Sequence, residues 1–492
     1  MTDATRLNRR AYGERAGIDV PASPVRIVHL GLGAFHRAHQ AWYTDRADEL
    51  GEWGIAAFTG RSRAAADELE PQDGLYTLIQ RADDGDEFTV IRSISEAVDG
   101  ADLDRLAALL ADPAVAIVTL TITEAGYRLD ADGRADFNDQ ATAADLEALA
   151  GASVSGYAAS PTTALGRLVL GLDARRRAGA GPIAVVPCDN IPGNGALVRG
   201  AVLEFAERVN GELADWVRDS VSFVSTSVDR ITPRTTSDDR DLVARSTGWL
   251  DAGPVVTEPF SDWILSGEFP AGRPDWERAG ARFVDDIEPF ERRKLWLLNG
   301  AHSLLAYAGL LRGYNTVSEA IADPECLAWV NELWDEDARH LPEGLLDLPS
   351  YRAALLDRFG NARIAHRLEQ IGMDGVAKLR VRIPPVILAE RSAGRRGSAA
   401  IRVLSAWAAV VLSGRAIPDT QSDALGRIQA RGGDLDDQIR ELVRLVDARL
   451  TDPDILGDIV AQTEHIAAEA ADVVDLVDRV DQHPEPPDAE PH

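Results

Sequence analysis

The sequence predicts an α/β protein, a Rossmann-like doubly wound N-terminal domain followed by a mostly α-helical C-terminal domain. Three observations predict it. Over the first 285 of 492 residues, short apolar runs alternate with helix-length segments, the pattern of βαβ units around a parallel sheet. The first of those runs ends in two glycines, Gly31 and Gly33. Beyond residue 290 strand signals nearly vanish and long helical patterns take over.

In chain order, VRIVHLG at 25–31 is an apolar run of strand length, and GAFHRAHQAWYTDRADEL reads as a turn entering a helix. Further strands are expected at 54–58 (GIAAF), 76–80 (YTLIQ), 88–92 (FTVIR), 115–122 (VAIVTLTI), 183–187 (IAVVP) and 221–225 (VSFVS). Helical patterns over about 102–111, 163–178 and 194–209 lie between several of them. Residues 1–285 are therefore expected to form one NAD(P)-binding domain.

A helical domain is expected over 286–480, built from LWLLNGAHSLLAYAGLL, IRVLSAWAAVVL, LDDQIRELVRLVDARL and ILGDIVAQTEHIAAEAADVVDLVDRV. The Gly-, Pro- and charge-rich segment at about 267–290 is expected to carry the chain between the two domains. The acidic, Pro-rich end, 481–492, reads as a disordered tail. No internal repeat is visible.

Composition narrows the function. With 45% hydrophobic and 27% charged residues the chain is an ordinary globular protein. It has no apolar run of membrane-spanning length and no signal-peptide core near its start, so a cytoplasmic protein with no membrane partner is expected. Two cysteines, Cys188 and Cys326, are too few for a disulfide framework or a closed zinc site. A net charge of −29 argues against nucleic acid, which needs clustered cations. A small-molecule substrate fits better. Of 51 basic residues only Lys294 and Lys378 are lysines, the other 49 being arginines. Arginine keeps its proton in proteins while lysine can lose it, so a retained lysine is a candidate for proton chemistry.

The cofactor signal is Gly31-Leu-Gly33-Ala-Phe35-His36. Two glycines at a strand-to-helix turn allow a tight bend and let the backbone approach a pyrophosphate. His36 stands where the third glycine of the fingerprint is usual. Phe35, His36 and Arg37 are counted with the glycines as cofactor contacts, and His36 and His39 lack the further ligands a metal would need. At the end of the second strand, where an NAD-preferring fold presents an acid, the sequence is Thr59-Gly60-Arg61-Ser62-Arg63. The fold predicts NAD, but the two arginines and the serine of that loop, Arg61, Arg63 and Ser62, could receive a 2′-phosphate, which argues for NADP or dual use.

The catalytic signal is Lys294, Asn299 and His302 in KLWLLNGAH. At α-helical spacing these fall at about 0°, 140° and 80°, on one broad side of an otherwise apolar helix. Polar groups on such a helix need partners or a job.

The chain resembles the long-chain mannitol dehydrogenase family, zinc-independent enzymes that include mannitol 2-dehydrogenase and fructuronate reductase (mannonate oxidoreductase). The resemblance is carried in order by IVHLGLGAFHRAHQAWYTD at 27–45, QDGLYTL at 72–78, VTLTITEAGY at 118–127, VPCDNIPGNG at 186–195, SVDRITP at 227–233, GRPDWERAGARFVDDIEPFE at 272–291, KLWLLNGAHS at 294–303 and MDGVAK at 373–378. It implies that Lys294 is the general base, that Asn299 and Asn190 hold the reacting oxygen, and that His302, Asp229 and Lys378 bind substrate. Glu124 resembles a residue near the proton exit path. Gln370 stands where mannitol-oxidising members tend to have arginine, which tilts the expectation toward a sugar acid. The implied reaction is metal-independent, NAD(P)-linked interconversion of D-mannonate and D-fructuronate, or of D-mannitol and D-fructose, by a monomer. The rivals are a mannitol-1-phosphate dehydrogenase, a zinc-dependent alcohol dehydrogenase and a non-catalytic NAD(P)-binding sensor.

Overall fold

The computed structural model describes residues 4–130, 132–155 and 160–482, with side chains described except at 152–155 and 470–482. The chain divides into two compact units, Met1–Glu288 and Pro289–His492.

Unit 1 is built on six parallel strands: β1 (Val25–Leu30), β2 (Gly54–Phe58), β3 (Ile94–Val98), β4 (Ile117–Leu120), β5 (Ile183–Pro187) and β6 (Val221–Phe223). Their order across the sheet is β3-β2-β1-β4-β5-β6, the doubly wound arrangement of dinucleotide-binding folds, with its switch point between β1 and β4. Because side chains alternate along a strand, each strand feeds two cores. Val28, Leu30, Phe58, Val118 and Val185 pack on one face, under helices α3 (Leu103–Leu110), α4 (Ala164–Ala178) and α5 (Asn194–Val209). Ile27, Ile55, Ile117 and Val186 pack on the other, against Trp42, Tyr43, Trp263 and Trp276. Asp102 and Thr163 accept the backbone N–H of Arg105 and Gly166, which starts α3 and α4 where the sequence places them.

Three expectations change. The expected strand at 221–225 is divided: Val221–Phe223 ends the main sheet, while Ser225–Asp229 pairs antiparallel with Asp262–Ser266. The runs at 76–80 and 88–92 form an antiparallel hairpin, Tyr76–Ala82 with Gly85–Ile91, outside the main sheet. The segment at 267–290 is no simple connector. Trp276 within it is fully buried and Arg282–Phe283 adds a short strand beside Ile264–Leu265, so apolar anchors hold this Gly- and Pro-rich stretch in unit 1.

Unit 2 is helical. α6 (Glu288–Arg293) leads into one π-helical stretch, Lys294–Gly300, which continues as α7 (Ala301–Leu311). Every residue of α7 from Ala301 to Leu310 is buried, as expected of a helix apolar all round. α8 (Gly375–Arg382) packs against the π-helical stretch, α9 (Ser398–Leu412) and α11 (Pro453–Gln482) pack against α7, and α10 (Leu435–Val446) packs against α8 and α11. The sequence expected to form a tail lies, from 483 onward, outside the described residues.

Candidate active site

At the switch point of unit 1, β1 is followed by Gly31, whose φ of 114° suits glycine alone, and a Cβ there would lie 2.0 Å from the Thr121 carbonyl oxygen. Gly33 has extended backbone and precedes α1 (Ala34–Ala38), and a Cβ on it would meet only the Gly31 carbonyl oxygen at 3.5 Å. A cleft of about 520 Å³ opens here, lined by Gly31, Leu32, Gly60, Arg61, Thr121 and Thr123 among others. Its place outside the carboxyl ends of β1 and β4 is where doubly wound folds bind dinucleotides, and the open backbone at Gly33 fits the approach of a pyrophosphate.

His36 and Arg37, expected at the cofactor, instead turn inward. His36 is fully buried and stacked on His29, with neither ring nitrogen hydrogen-bonded. Arg37 is 7% exposed and spends its guanidinium on the carbonyls of Gly33, at 3.2 Å, and Gly253, at 2.6 Å. The helix is short, breaking at His39 before α2 (Gln40–Ala47) begins, and this carries both side chains under the glycine turn rather than over it. Arg37 therefore braces the turn. Phe35 is half-buried and stacks on His39 at 5.1 Å.

The hydrogen-bond partners of His29 fix where its proton sits. Thr121 donates its single hydroxyl hydrogen to the Gly31 carbonyl at 2.9 Å, so at 3.0 Å it must accept from Nε2 of His29, and Nδ1 accepts from Thr119 at 2.8 Å. The imidazole is thus neutral, in line with burial, which lowers its pKa to about 3.

The loop after β2 also sorts itself. Arg63 pairs with Asp67 at 2.6 Å and Glu70 at 3.1 Å, and the Ser62 hydroxyl accepts the Ala64 N–H. Arg61 lines the cleft, is exposed and makes no hydrogen bond or ion pair among the described residues. Of the basic pair read from sequence, Arg61 is the available one.

Asn190 is exposed just beyond β5. Its neighbour Asp189, which sequence reading passed over, does the holding. The buried carboxylate accepts from Ile122 N–H at 3.2 Å, Thr123 N–H at 2.8 Å and Tyr127 Oη at 2.7 Å. It thereby fixes Thr123 at a φ of 68°, a strained value for a β-branched residue. Burial raises the Asp189 pKa, opposed by those three donors. Asp229 is 9% exposed at the end of Ser225–Asp229. Glu124 is exposed, in the short turn after Thr123.

In unit 2, Lys294 and Asn299 open and nearly close the π-helical stretch. This corrects the α-helical phase assumed from sequence: a π-helix closes i→i+5 bonds, so residues five apart lie about one turn apart and share a face. The displaced carbonyls find side-chain donors. Trp334 Nε1 donates to Leu297 O at 2.7 Å, and Ser303 Oγ and Arg382 Nη1 both donate to Asn299 O, each at 3.1 Å. Lys294 and Asn299 are themselves half-buried.

His302 follows on α7, 8% exposed, with its ring 4.9 Å from those of Phe359 and His366 and Nε2 buried without a hydrogen bond. Burial, and then the charges of His366, Arg358, Arg382 and Lys294, hold its pKa well below the usual histidine value. A neutral ring with an unanswered nitrogen is suited to a ligand hydroxyl. Lys378 on α8 is half-buried and donates to the Ile371 carbonyl at 3.0 Å, which ties it to the short helix Leu368–Gly372 carrying the exposed Gln370. Arg382, one helical turn beyond Lys378, had no signal in the sequence reading. Burial pushes its pKa down to about 10, so it stays charged at neutral pH.

Comparison with known proteins gives concordant matches in both units. Residues 25–278 match the model of the mannitol dehydrogenase Rossmann domain and residues 286–475 that of the mannitol dehydrogenase C-terminal domain. D-Mannonate oxidoreductase of Escherichia coli is 38% identical over 73% of this chain and 74% of its own length. D-Arabinitol 4-dehydrogenase of Ralstonia nicotianae is 38% identical over 73% of this chain and 77% of its own. Among solved structures, the ternary complex of Pseudomonas fluorescens mannitol 2-dehydrogenase with NAD and D-mannitol aligns with a TM-score of 0.74 at 34% identity, covering 98% of this chain and 100% of that one. No described helix is long and apolar enough to cross a membrane.

Proposed function

The chain belongs to the mannitol dehydrogenase family, and on that premise we propose that it interconverts a linear hexitol or hexonate with its keto sugar, without a metal. The leading pairs are D-mannonate with D-fructuronate and D-mannitol with D-fructose. Family membership makes it an oxidoreductase acting on polyols or sugar acids. The observation that carries the finer reading is the π-helical stretch, which sets Lys294 and Asn299 one turn apart with the neutral His302, its Nε2 without a hydrogen bond among the described residues, close behind.

In oxidation, the Lys294 amine accepts the proton of the reacting hydroxyl, a task open to lysine and closed to arginine. The Asn299 side-chain amide donates a hydrogen bond to the same oxygen as negative charge gathers on it. The nicotinamide, when bound, supplies the hydride acceptor. His302 offers Nε2 to a further hydroxyl and fixes the orientation of the chain of carbinols. The family resemblance assigns Asn190 to the reacting oxygen and Asp229 and Lys378 to substrate binding. NAD is the expected cofactor, with NADP use resting on Arg61, and a monomer is the expected state. A non-catalytic sensor is the weaker reading, since binding alone calls for no lysine beside an asparagine at a π-turn.

The test is the initial rate of NAD⁺ and NADP⁺ reduction with D-mannonate and with D-mannitol in chelator-treated buffer. Robust turnover of either supports the reading and ranks the substrates. Cofactor binding without turnover of any polyol or aldonate would refute it, and loss of activity in chelator would refute the metal-free mechanism.

A further inference from the structure

A basic pair stands on α8: Asp374 and Asp419 lie within electrostatic reach of Lys378 without forming an ion pair with it, while among the described residues no carboxylate pairs with Arg382. Lys378 and Arg382 are four residues apart, so they share a face of the helix, and like charges at that spacing work against it. Neither forms an ion pair among the described residues. Lys378 donates to the Ile371 carbonyl at 3.0 Å, and Arg382 Nη1 donates to the Asn299 carbonyl at 3.1 Å and to Ser303 Oγ at 2.9 Å. This is unusual in a chain with 80 acidic residues. Elsewhere in unit 2 comparable arginines are met by carboxylates, Arg312 by Asp323 at 2.7 Å and Arg395 by Glu390 at 2.7 Å. Both members of the pair are half-buried, where an unanswered cation is costly.

The pair also adjoins the reacting groups. Arg382 holds the carbonyl of Asn299, and its charge reaches His302. With Nη1 committed to protein, the other edge of the guanidinium, Nε and Nη2, makes no hydrogen bond among the described residues. Two parallel N–H donors on one edge match the two oxygens of a carboxylate.

We propose that Arg382, through Nε and Nη2 and with Lys378 beside it, binds the terminal carboxylate of the substrate and makes this a site for a sugar acid rather than a neutral polyol. The proposal rests on the dehydrogenase reading above and names the substrate class of that same site. It accounts for the lack of an acidic partner at Arg382 among the described residues, because the substrate brings one.

Arg382 could instead serve only to brace the π-turn through Asn299, and the experiment separates the two roles. Steady-state kcat/KM is measured for D-mannonate, D-mannitol and D-mannitol 1-phosphate on wild type, Arg382→Gln and Arg382→Lys. Wild type is expected to prefer D-mannonate, and in Arg382→Gln the ratio of D-mannonate to D-mannitol kcat/KM falls by at least about 30-fold, mostly through KM. An equal loss on both substrates leaves Arg382 a brace and overturns the proposal, as does a wild-type preference for mannitol or for the phosphate ester. Should Arg382→Gln not fold, Arg382→Lys and wild type decide, since added salt must then weaken D-mannonate turnover selectively. Should wild type turn over none of the three, the dehydrogenase reading fails. Calorimetric titration of D-mannonate then judges the subsite: binding to wild type that Arg382→Gln loses sustains it, and no binding overturns it.

Discussion

His29 and His36 lie face to face, their ring centroids 3.3 Å apart and their planes 8° from parallel. Both are fully buried beneath the glycine turn, and burial holds the His29 pKa at about 3 and that of His36 well below the usual value. Unfolded histidine titrates near about 6.5. Below that pH the unfolded chain binds protons that the folded chain refuses, so stability is full above about pH 6.5 and is lost as pH falls toward 3. Each ring contributes a slope of up to about 1.4 kcal/mol per pH unit. In urea unfolding at pH 7, 6 and 5, His36→Leu should lose less stability on acidification than wild type. Parallel slopes for the two proteins would show that the stack does not carry the acid sensitivity.

The two glycines of the turn do different work. Alanine at Gly31 meets both a φ of 114° and a carbonyl oxygen at 2.0 Å, whereas alanine at Gly33 meets only an oxygen at 3.5 Å. Gly31→Ala should therefore lower the melting temperature, by the equivalent of about 1–3 kcal/mol or more. Gly33→Ala should leave folding within about 1 kcal/mol and weaken NADH binding, followed by fluorescence titration, about tenfold or more, since a pyrophosphate bound at this turn would meet its methyl. Unchanged NADH affinity in Gly33→Ala would place the cofactor elsewhere.

Much of unit 1 was legible because its signals are local. The runs of β1, β2, β4 and β5 are largely apolar, and the helix starts at Asp102 and Thr163 carry capping side chains, whereas β3 (ISEAV), with Ser95 and Glu96 in it, gave no strand signal. Other features depended on contacts that no local pattern encodes. GAFHR cannot say that the helix breaks at His39 and sends His36 and Arg37 inward. KLWLLNG has the composition of an ordinary apolar helix, and its π-turn rests on donors far along the chain, Trp334 and Arg382. Arg382 in KLRVR carries no motif signal, and its place emerges only from its hydrogen bonds to Asn299 and Ser303. Asp189 was hidden between two residues with more obvious roles.

Arg61 carries the cofactor question. It lines the cleft and pairs with no group among the described residues, while Arg63 is held by Asp67 and Glu70. Arg61→Ser should raise the KM for NADP⁺ about tenfold, the worth of one or two charge-assisted hydrogen bonds, and move the KM for NAD⁺ little. Arg63→Ser should move neither. An Arg61→Ser enzyme with wild-type NADP⁺ kinetics would rule out this guanidinium as the 2′-phosphate contact.

Lys294 and Asn299 face the same oxygen in the proposed mechanism, and their variants should fail in different ways. Lys294→Ala removes the base, which typically costs about 10²–10⁴ in rate, and here a fall of about a thousandfold or more in kcat is expected, with NADH affinity nearly intact. Asn299→Ala removes one donor to the developing charge and should cost about 10²–10³. The pH profile tells them apart. Wild type and Asn299→Ala should gain kcat/KM as the lysine gives up its proton with rising pH, while Lys294→Ala should show no such limb and should be partly rescued by added small primary amines. A Lys294→Ala enzyme that keeps both the limb and wild-type turnover would remove lysine from the chemistry, and with it the reason the π-turn holds these two residues one turn apart.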